Sequence, residues 1–249
     1  ESLLSGAVAT SRSHVELARR LASESAVLLK NGPGPRPAGG ARGAGPAGVL
    51  PFRSGQTIAV LGEACAASAN VEKMLRWWTN GNYYVMGGSG RVLSGDTVSI
   101  LDGLRGRGLV LRESTSGSLA EAAAALRGAD AALVCGGATA SESFDRSGLR
   151  LDQEDFIMAT LQSAASQSVP VVVVALVPGA IVAAPWQHNA TAALALFLPG
   201  QEAGNAAGDV LMGATSPSGK LPVTFPARAE DALAPCQGTV CEYGERLHG

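Results

Sequence analysis

The chain has 249 residues, a formal net charge of −2, and 16% charged against 46% hydrophobic residues. This low charge excludes a solvated disordered chain, and the balance of 19 basic and 21 acidic residues excludes the electrostatic footprint of a nucleic-acid-binding protein. No apolar run reaches the roughly 20 residues of a membrane helix, since even 169–184 is interrupted by two prolines and a glycine. We therefore expect a compact chain whose partners are neither nucleic acid nor membrane.

The first predicted element is an amphipathic helix that starts at Ser13 and leads into a buried stretch ending near Asn31. Ser13 can cap this helix because Glu16 follows three positions later. The residues expected on its buried stripe are Leu17, Leu21, Ala22 and Ser25. Residues 32–50 are mostly Gly, Pro, Ala and Arg, which predicts a mobile loop because such a segment has too little apolar content to pack.

Four short apolar runs then alternate with helical stretches. The runs are 57–62, 131–137, 171–176 and 192–197. The helical stretches are 97–104, 119–127, 153–166 and 202–213, with an edge strand at 109–112. Because the runs are continuously apolar, each strand is expected to be buried on both faces. The sequence predicts an α/β fold, a mostly parallel open sheet sandwiched between helices, with ligands outside the carboxyl ends of the strands.

The four cysteines match neither a disulfide scaffold nor a zinc site. Cys236 and Cys241 flank a four-residue turn, where a local bridge and two thiols both remain open. Cys65 and Cys135 each follow a strand-like run and are interpreted as buried free thiols. The triplet Asn-Ala-Thr at 189–191 is an acceptor for N-glycosylation, which favours the secretory route, with an extracellular or lysosome- or vacuole-like destination. No metal and no cofactor is expected.

Two glycine-rich segments do not qualify as nucleotide sites. The segment 213–221 has the wrong number of residues between its glycines, and Leu221 stands where a phosphate loop needs Ser or Thr. The Gly-Gly-Ser-Gly cluster at 87–90 lacks the spacing of a dinucleotide-binding loop. No Gly-x-Ser-x-Gly elbow occurs, so a serine hydrolase is not expected either.

The strongest candidate chemistry lies in the loop after the run 131–137. This loop contains Glu142-Ser143-Phe144-Asp145-Arg146, at the strand end where an α/β site belongs. A carboxylic acid in a partly desolvated loop can have its pKa raised enough to donate a proton near neutral pH. An adjacent Asp–Arg pair can fix such a loop through a bidentate contact. The alternative is that these are ordinary solvated loop charges.

The same five residues resemble the Glu-Gly-[Phe/Tyr]-Asp-Arg loop in the second domain of family 3 glycoside hydrolases, the β-glucosidase and β-xylosidase group. Further segments resemble the family in the same order: 14–31, 50–62, 86–90, 185–206 and 209–226. The last two are highly specific, with Leu-Pro-Gly-Gln-Glu-Ala-Gly-Asn-Ala in one and Pro-Ser-Gly-Lys-Leu-Pro-Val-Thr-Phe-Pro in the other. On these motifs the chain is identified as a member of that family.

The resemblance implies the six-stranded α/β sandwich of a retaining β-glycosidase, which cleaves terminal β-linked sugars with an Asp nucleophile and a Glu acid/base. Glu142 would be the acid/base. The nucleophile would lie in a barrel domain that this sequence lacks, so the implied partners are that barrel and a β-linked sugar. Because the chain begins at Glu1 rather than Met, we expect a processed or partial piece, inactive without its barrel. The residues implied to bind substrate are Trp78, Ser89, Asp145 and Arg146.

The resemblance also divides the chain. The expected parts are a linker and helix leading from the barrel at 1–31, the mobile loop at 32–50, the sandwich at 51–226 and a C-terminal tail at 227–249.

Some features leave alternatives open. Ser143 stands where the family usually has Gly, which puts the loop backbone in question because Gly reaches positive φ freely. The aromatic residues Trp77, Trp78, Tyr83 and Tyr84 could stack on sugars or pack at a domain interface. The second functional hypothesis is a non-catalytic binding or structural module that kept the fold and works as a subunit of a larger assembly.

Overall fold

The computed structural model describes residues 10–33, 48–68, 81–92, 95–232 and 238–240. Its strands are β1 (Val27–Asn31), β2 (Thr57–Leu61), β3 (Val110–Ser114), β4 (Ala131–Gly137), β5 (Val171–Val177) and β6 (Ala192–Phe197). Its helices are α1 (Arg12–Glu24), α2 (Ile100–Leu104), α3 (Leu119–Leu126), α4 (Glu154–Ser166), α5 (Ala184–Gln187) and α6 (Ala203–Leu211). Short 3₁₀ turns cover Glu63–Ala66 and Ala229–Asp231.

The six strands form one sheet in the order β1-β6-β5-β4-β2-β3. Only β1 runs antiparallel to its neighbour, so the predicted α/β class and mostly parallel sheet are confirmed. From β2 the chain first adds β3 on one side and then returns to add β4 on the other. The boundary between β2 and β4 is therefore the point at which the strand order reverses, where α/β sheets commonly bind ligands.

Successive residues of the central strands pack against helices on opposite faces of the sheet. On one face, Ile58, Leu133 and Val172 join a core completed by α2 and α6. On the other, Val134 and Val173 join a core completed by α3 and α4. Every residue of β4 and β5 is buried, which confirms the inference that continuously apolar runs are strands covered on both faces.

The cap of the first helix lies two residues before the predicted one. The hydroxyl of Ser11, not Ser13, accepts a hydrogen bond from the backbone N–H of His14, and the helix starts at Arg12. The buried stretch after it forms β1, which pairs with β6. The predicted linker at 1–31 therefore contributes one strand to the sheet itself.

The buried face of α1 also differs from the prediction. Leu17 and Leu21 are 43% and 56% exposed. The helix packs on α6, where the guanidinium of Arg19 binds the carboxylate of Asp209 through two hydrogen bonds of 2.6 Å. Arg107 donates a further hydrogen bond to Asp209 at 2.9 Å. A polar contact therefore orients the helix. The spacing of apolar residues along the sequence cannot indicate such a contact.

Two glycines allow α2 and α6 to approach closely. A Cβ atom on Gly204 would collide with the carbonyl oxygen of Ser99, and one on Gly103 would collide with that of Gly204. Ala203, which replaces a Gly of the family motif, is fully buried and begins α6. The fold therefore accommodates alanine at position 203, whereas position 204 requires glycine.

Cys65 and Cys135 form a disulfide, so the expectation of two free thiols is wrong. Cys65 lies in the 3₁₀ turn after β2, Cys135 lies in β4, and both are fully buried. The bond joins the two strands that flank the reversal of strand order. Because 70 residues separate the two cysteines, no local pattern could have paired them. Cys236 and Cys241 lie outside the described residues.

Of the predicted loop at 32–50, residues 34–47 lie outside the described part of the chain. At the end of this loop, Leu50 is bound to Asn31 at the end of β1. Its N–H donates to Oδ1 of Asn31, and its carbonyl oxygen accepts from Nδ2, each at 3.1 Å. None of the helices within the described residues combines the length and apolar character needed to cross a membrane.

Candidate functional site

The loop after β4 carries Glu142 at the carboxyl edge of the sheet. A glycine segment, defined as residues 87–89, runs beside this loop and pairs with it through an isolated β-bridge. Gly87 pairs with Ser141 in a parallel bridge, and its N–H donates to the carbonyl oxygen of Ala140 at 2.8 Å. Two segments that are distant in sequence are thus joined by backbone hydrogen bonds at the candidate acid.

Ser89 binds the carboxylate of Glu142. The Oε2 atom accepts a hydrogen bond of 2.7 Å from the backbone N–H of Ser89 and a second one from its hydroxyl. The hydroxyl first, and then the N–H, lower the pKa of Glu142 below its usual value, against the opposing effect of desolvation. The expectation of a raised pKa is therefore wrong for this chain by itself: Glu142 is an exposed, ionised carboxylate.

Gly88 makes the contact between the two segments possible. It is buried and has a φ of +90°. A Cβ atom at this position would collide with Cβ of Glu142 and would lie 2.8 Å from its Oε2. Only a residue without a side chain lets the segment approach Glu142 this closely.

Ser143 takes the left-handed conformation that the family motif predicts for a glycine. Its φ is +67°, within a tight turn in which the N–H of Phe144 donates to the carbonyl oxygen of Ser141 at 3.3 Å. A residue with a side chain therefore occupies a conformation that glycine adopts freely. A non-glycine residue in this region is held there at a cost of about 1 kcal/mol or more.

The Asp145–Arg146 pair does not form the predicted bidentate contact. Arg146 instead donates from Nη2 to the carbonyl oxygen of Ala180, in the loop after β5, at 2.6 Å. Its Nη1 is buried without a hydrogen-bond partner. Burial lowers the pKa of Arg146, and the attraction of Asp152 opposes this. Asp145 is exposed, and none of the ion pairs among the described residues includes it.

A pocket of about 390 Å³ lies beside Arg146, within the size range of small-ligand sites. Its polar lining includes Thr139, Arg146, Ser147, Arg150 and Asp152. The charge of Arg150 is compensated, because its guanidinium binds Glu154 at 2.8 Å and Asp155 at 2.5 Å. The pocket therefore has both signs of charge and no strong preference for an anion.

Of the four aromatic residues considered for sugar stacking or interface packing, the structure describes the two tyrosines. Tyr84 is buried, with its hydroxyl donating to the carbonyl oxygen of Ala67 at 2.5 Å. Tyr83 donates to Asp152 at 3.0 Å and accepts from Gln153 at 2.6 Å, and burial raises its pKa to about 12. Tyr84 therefore packs in the core, and the hydroxyl of Tyr83 is fixed by the side chains immediately before α4. Trp77 and Trp78 lie outside the described residues.

Sequence reasoning overlooked Phe144. This side chain is 52% exposed and lies two residues after Glu142. The sequence could have indicated its exposure, because an aromatic residue in a polar loop has no apolar neighbours to pack against. Within the described residues, no group of three or more His, Cys, Asp or Glu side chains is arranged to hold a metal ion.

Comparison with known proteins agrees with this architecture. The description "Glycosyl hydrolase family 3 C-terminal domain" matches residues 26–245. An exo-α-(1→6)-L-arabinopyranosidase of Bifidobacterium longum is 33% identical over 232 residues, which cover 88% of this chain and 28% of the relative. The β-glucosidase cel3A of Pyricularia oryzae is 33% identical over 234 residues, 87% of this chain and 30% of the relative.

A solved structure gives the same result. The β-D-glucoside glucohydrolase of Trichoderma reesei superposes with a TM-score of 0.79 at 28% identity, covering 94% of this chain and 34% of that one. The chain thus spans about a third or less of the length of the proteins that it matches. The motif order, the sheet topology and these matches place the chain in glycosyl hydrolase family 3, as a C-terminal domain of that family.

Proposed function

We propose that this chain supplies Glu142 as the acid/base of a retaining glycosidase, whose Asp nucleophile lies on a barrel domain. The observation that supports this is the exposed carboxylate of Glu142 at the carboxyl edge of the sheet, on a loop that two other segments fix in place. A retaining site needs a second carboxylate about 5–5.5 Å away. Because the chain spans only part of its relatives, the barrel can belong to the remaining length.

The lowered pKa of Glu142 fits one half of this role. In the second step of the reaction, an ionised Glu142 takes a proton from the attacking water. In the first step it must donate a proton to the leaving glycosidic oxygen. A barrel docked on the loop removes water from the carboxylate and brings the charge of the nucleophile near it, and both effects raise the pKa. Docking therefore converts the base of the separate domain into an acid.

The substrate we propose is a terminal β-linked sugar, the class that the names of the β-glucosidase relatives indicate. Phe144 offers an exposed aromatic face for a sugar ring beside Glu142. Asp145 has an exposed carboxylate available for sugar hydroxyls. Ser89 and Arg146 are engaged with Glu142 and Ala180, so we assign them to shaping the loop rather than to binding sugar.

The location we propose is the secretory route. The buried disulfide between Cys65 and Cys135 supports an oxidising compartment, since such bonds are rare in reducing ones. Asn189 of the glycosylation triplet is exposed in the turn before β6. That turn lies at the amino end of a strand parallel to β5, away from the carboxyl edge that carries Glu142, so a glycan there would leave the site accessible.

Complementation tests the proposal. The chain alone, the matching family 3 barrel alone, and the two joined are assayed with a β-glucoside. We expect hydrolysis only from the joined protein, and a fall in kcat/KM by about 10²-fold or more when the joined protein carries Glu142→Gln. Turnover by the chain alone would contradict a site shared between two domains. Full activity of the Glu142→Gln protein would favour the non-catalytic module instead.

A further inference from the structure

The two oxygens of the Glu142 carboxylate have different surroundings. Oε2 accepts both hydrogen bonds that Ser89 donates, one from the backbone N–H and one from the hydroxyl. Among the described residues, no hydrogen-bond donor reaches Oε1. One oxygen of this exposed side chain is therefore anchored, and within the described residues the other has no donor.

We propose that Ser89 is the positioning residue of Glu142, anchoring Oε2 and leaving Oε1 as the oxygen that exchanges the proton. The inference rests on the proposed function. In the first step, the proton on Oε1 moves to the glycosidic oxygen as the bond from that oxygen to the sugar breaks, and the Asp carboxylate of the barrel forms a covalent bond to the same sugar carbon. In the second step, a water gives a proton to Oε1 as its oxygen bonds to that carbon and the bond to the Asp carboxylate breaks, which restores both the acid and the nucleophile.

The backbone fixes Ser89 firmly enough for this task. The pairing of Gly87 with Ser141 aligns the glycine segment with the loop, and the buried Gly88 brings it against Glu142. The N–H of Arg91 closes the segment by donating to the carbonyl oxygen of Gly88 at 3.3 Å. The orientation of the Ser89 donors thus depends on main-chain contacts on both sides, as positioning of a reacting group requires.

The electrostatic effect on Glu142 is also specific to Ser89. The nearest charged residues along the chain are Arg91, two residues after the glycine segment, and Asp145 and Arg146 in the loop of Glu142. None of them shifts the pKa of Glu142 detectably, whereas the hydroxyl and N–H of Ser89 lower it. Removing the hydroxyl therefore changes the Glu142 carboxylate without altering a charge.

Two variants separate positioning from substrate binding. Ser89→Ala removes the hydroxyl, and Ser89→Thr retains one. If Ser89 positions the acid, Ser89→Ala lowers kcat of the barrel-joined enzyme by roughly tenfold with little change in KM, because an oriented catalytic group acts in the transition state. If Ser89 instead bound sugar, KM would rise. Ser89→Thr is expected to restore kcat.

A titration of the chain by itself provides the second readout. The side-chain carboxyl carbon of Glu142 is followed by NMR against pH, with its signal assigned by its loss in Glu142→Gln. We expect the midpoint to move upward in Ser89→Ala and to return in Ser89→Thr. The alkaline limb of the pH–rate profile of the joined enzyme should move upward with it. The control is Ser116→Ala, which removes a comparable exposed hydrogen bond of 2.6 Å to Glu121 and should alter neither readout.

The outcomes are distinguishable. An unchanged midpoint in Ser89→Ala overturns the anchoring. A shifted midpoint with an unchanged kcat and pH–rate profile, in an enzyme that Glu142→Gln inactivates, overturns the positioning role and leaves the proposed function intact. If Glu142→Gln is fully active, the proposed function fails, and the positioning role fails with it.

Discussion

Asp209 on α6 binds Arg19 on α1 through both carboxylate oxygens, at 2.6 Å each. Arg107 adds a third hydrogen bond from the other side at 2.9 Å. Burial alone would raise the pKa of Asp209, but the hydrogen bonds and charges of the two arginines outweigh it and hold the pKa below its usual value. This contact fixes the segment that precedes the sheet onto the domain.

Asp209→Asn should lower the free energy of unfolding at pH 7 by about 1–3 kcal/mol, because the mostly buried guanidinium of Arg107 and the 41% exposed side chain of Arg19 both lose their counter-charge, the latter with partial compensation by water. Denaturant unfolding measures it. Since the folded-state pKa is depressed, the stabilisation is full above the unfolded-state pKa of about 3.9 and is lost as the pH falls below it.

As the pH falls below about 4 to 5, the free energy of unfolding of Asp209→Asn should therefore decrease less steeply than that of the parent. The other carboxylates contribute equally to both proteins. Asp231→Asn is the control, since its ion pair with Arg228 is solvent-exposed and such pairs add little. Equal stability of Asp209→Asn and the parent at pH 7 would contradict a stabilising role for this contact.

The disulfide between Cys65 and Cys135 should contribute a large part of the stability. Its ends are 70 residues apart, and closing a loop of that length stabilises a fold by about 4 kcal/mol in the chain-entropy model. The double variant Cys65→Ala with Cys135→Ala, with Cys236 and Cys241 unchanged, should lose that amount in denaturant unfolding. A loss below about 1 kcal/mol would show that the bond is dispensable.

The sheet could be predicted from the sequence more accurately than its surroundings. β4 and β6 have the bounds expected from their apolar runs, because a strand buried on both faces leaves no polar residue inside it. The cap of α1 was misplaced because Ser11 and Ser13 both have the right chemistry, and the backbone selects between them. The disulfide was missed because its partners meet only through the strand order.

Ser143 tests the importance of the left-handed turn after Glu142. Ser143→Gly should raise the free energy of unfolding by about 0.5 kcal/mol, since glycine removes the backbone strain but adds freedom to the unfolded chain. Ser143→Val should lower it by roughly 1–2 kcal/mol. The matched control is Ser147→Gly in the same loop, at a position without positive φ, which should be slightly destabilising. A stabilising Ser143→Val would refute the assigned conformation.

Gly88 tests the close approach of the glycine segment to the candidate acid. Gly88→Ala places a Cβ against Glu142 and should displace its carboxylate, lowering kcat/KM of the barrel-joined enzyme by about 10²-fold. Gly90→Ala is the control, because among the described residues its Cβ would meet only the sulfur of Met86 at 3.6 Å, and its kcat/KM should stay within about twofold of the parent. Circular dichroism checks that both variants fold. Full activity in Gly88→Ala would show that catalysis does not depend on the close approach of the glycine segment to Glu142.

The candidate site could be predicted only in part. The motif around Glu142 and its place after a buried strand located the carboxylate, because both are local in sequence. The contact with Ser89 depends on a pairing across 53 residues, so Ser89 was assigned to substrate rather than to Glu142. The expected Asp145–Arg146 contact failed because Arg146 finds the carbonyl oxygen of Ala180 on a neighbouring loop.

The central claim, that Glu142 transfers the proton, is tested most directly by leaving-group dependence in the barrel-joined enzyme. Parent and Glu142→Gln are compared on an alkyl β-glucoside, whose leaving group needs protonation, and on an activated aryl β-glucoside, whose leaving group does not. We predict a loss of about 10²–10⁴-fold in kcat/KM for the alkyl substrate and a much smaller loss for the aryl one. Equal losses for both substrates, or no loss for the alkyl glucoside, would contradict the assignment of Glu142 as the acid.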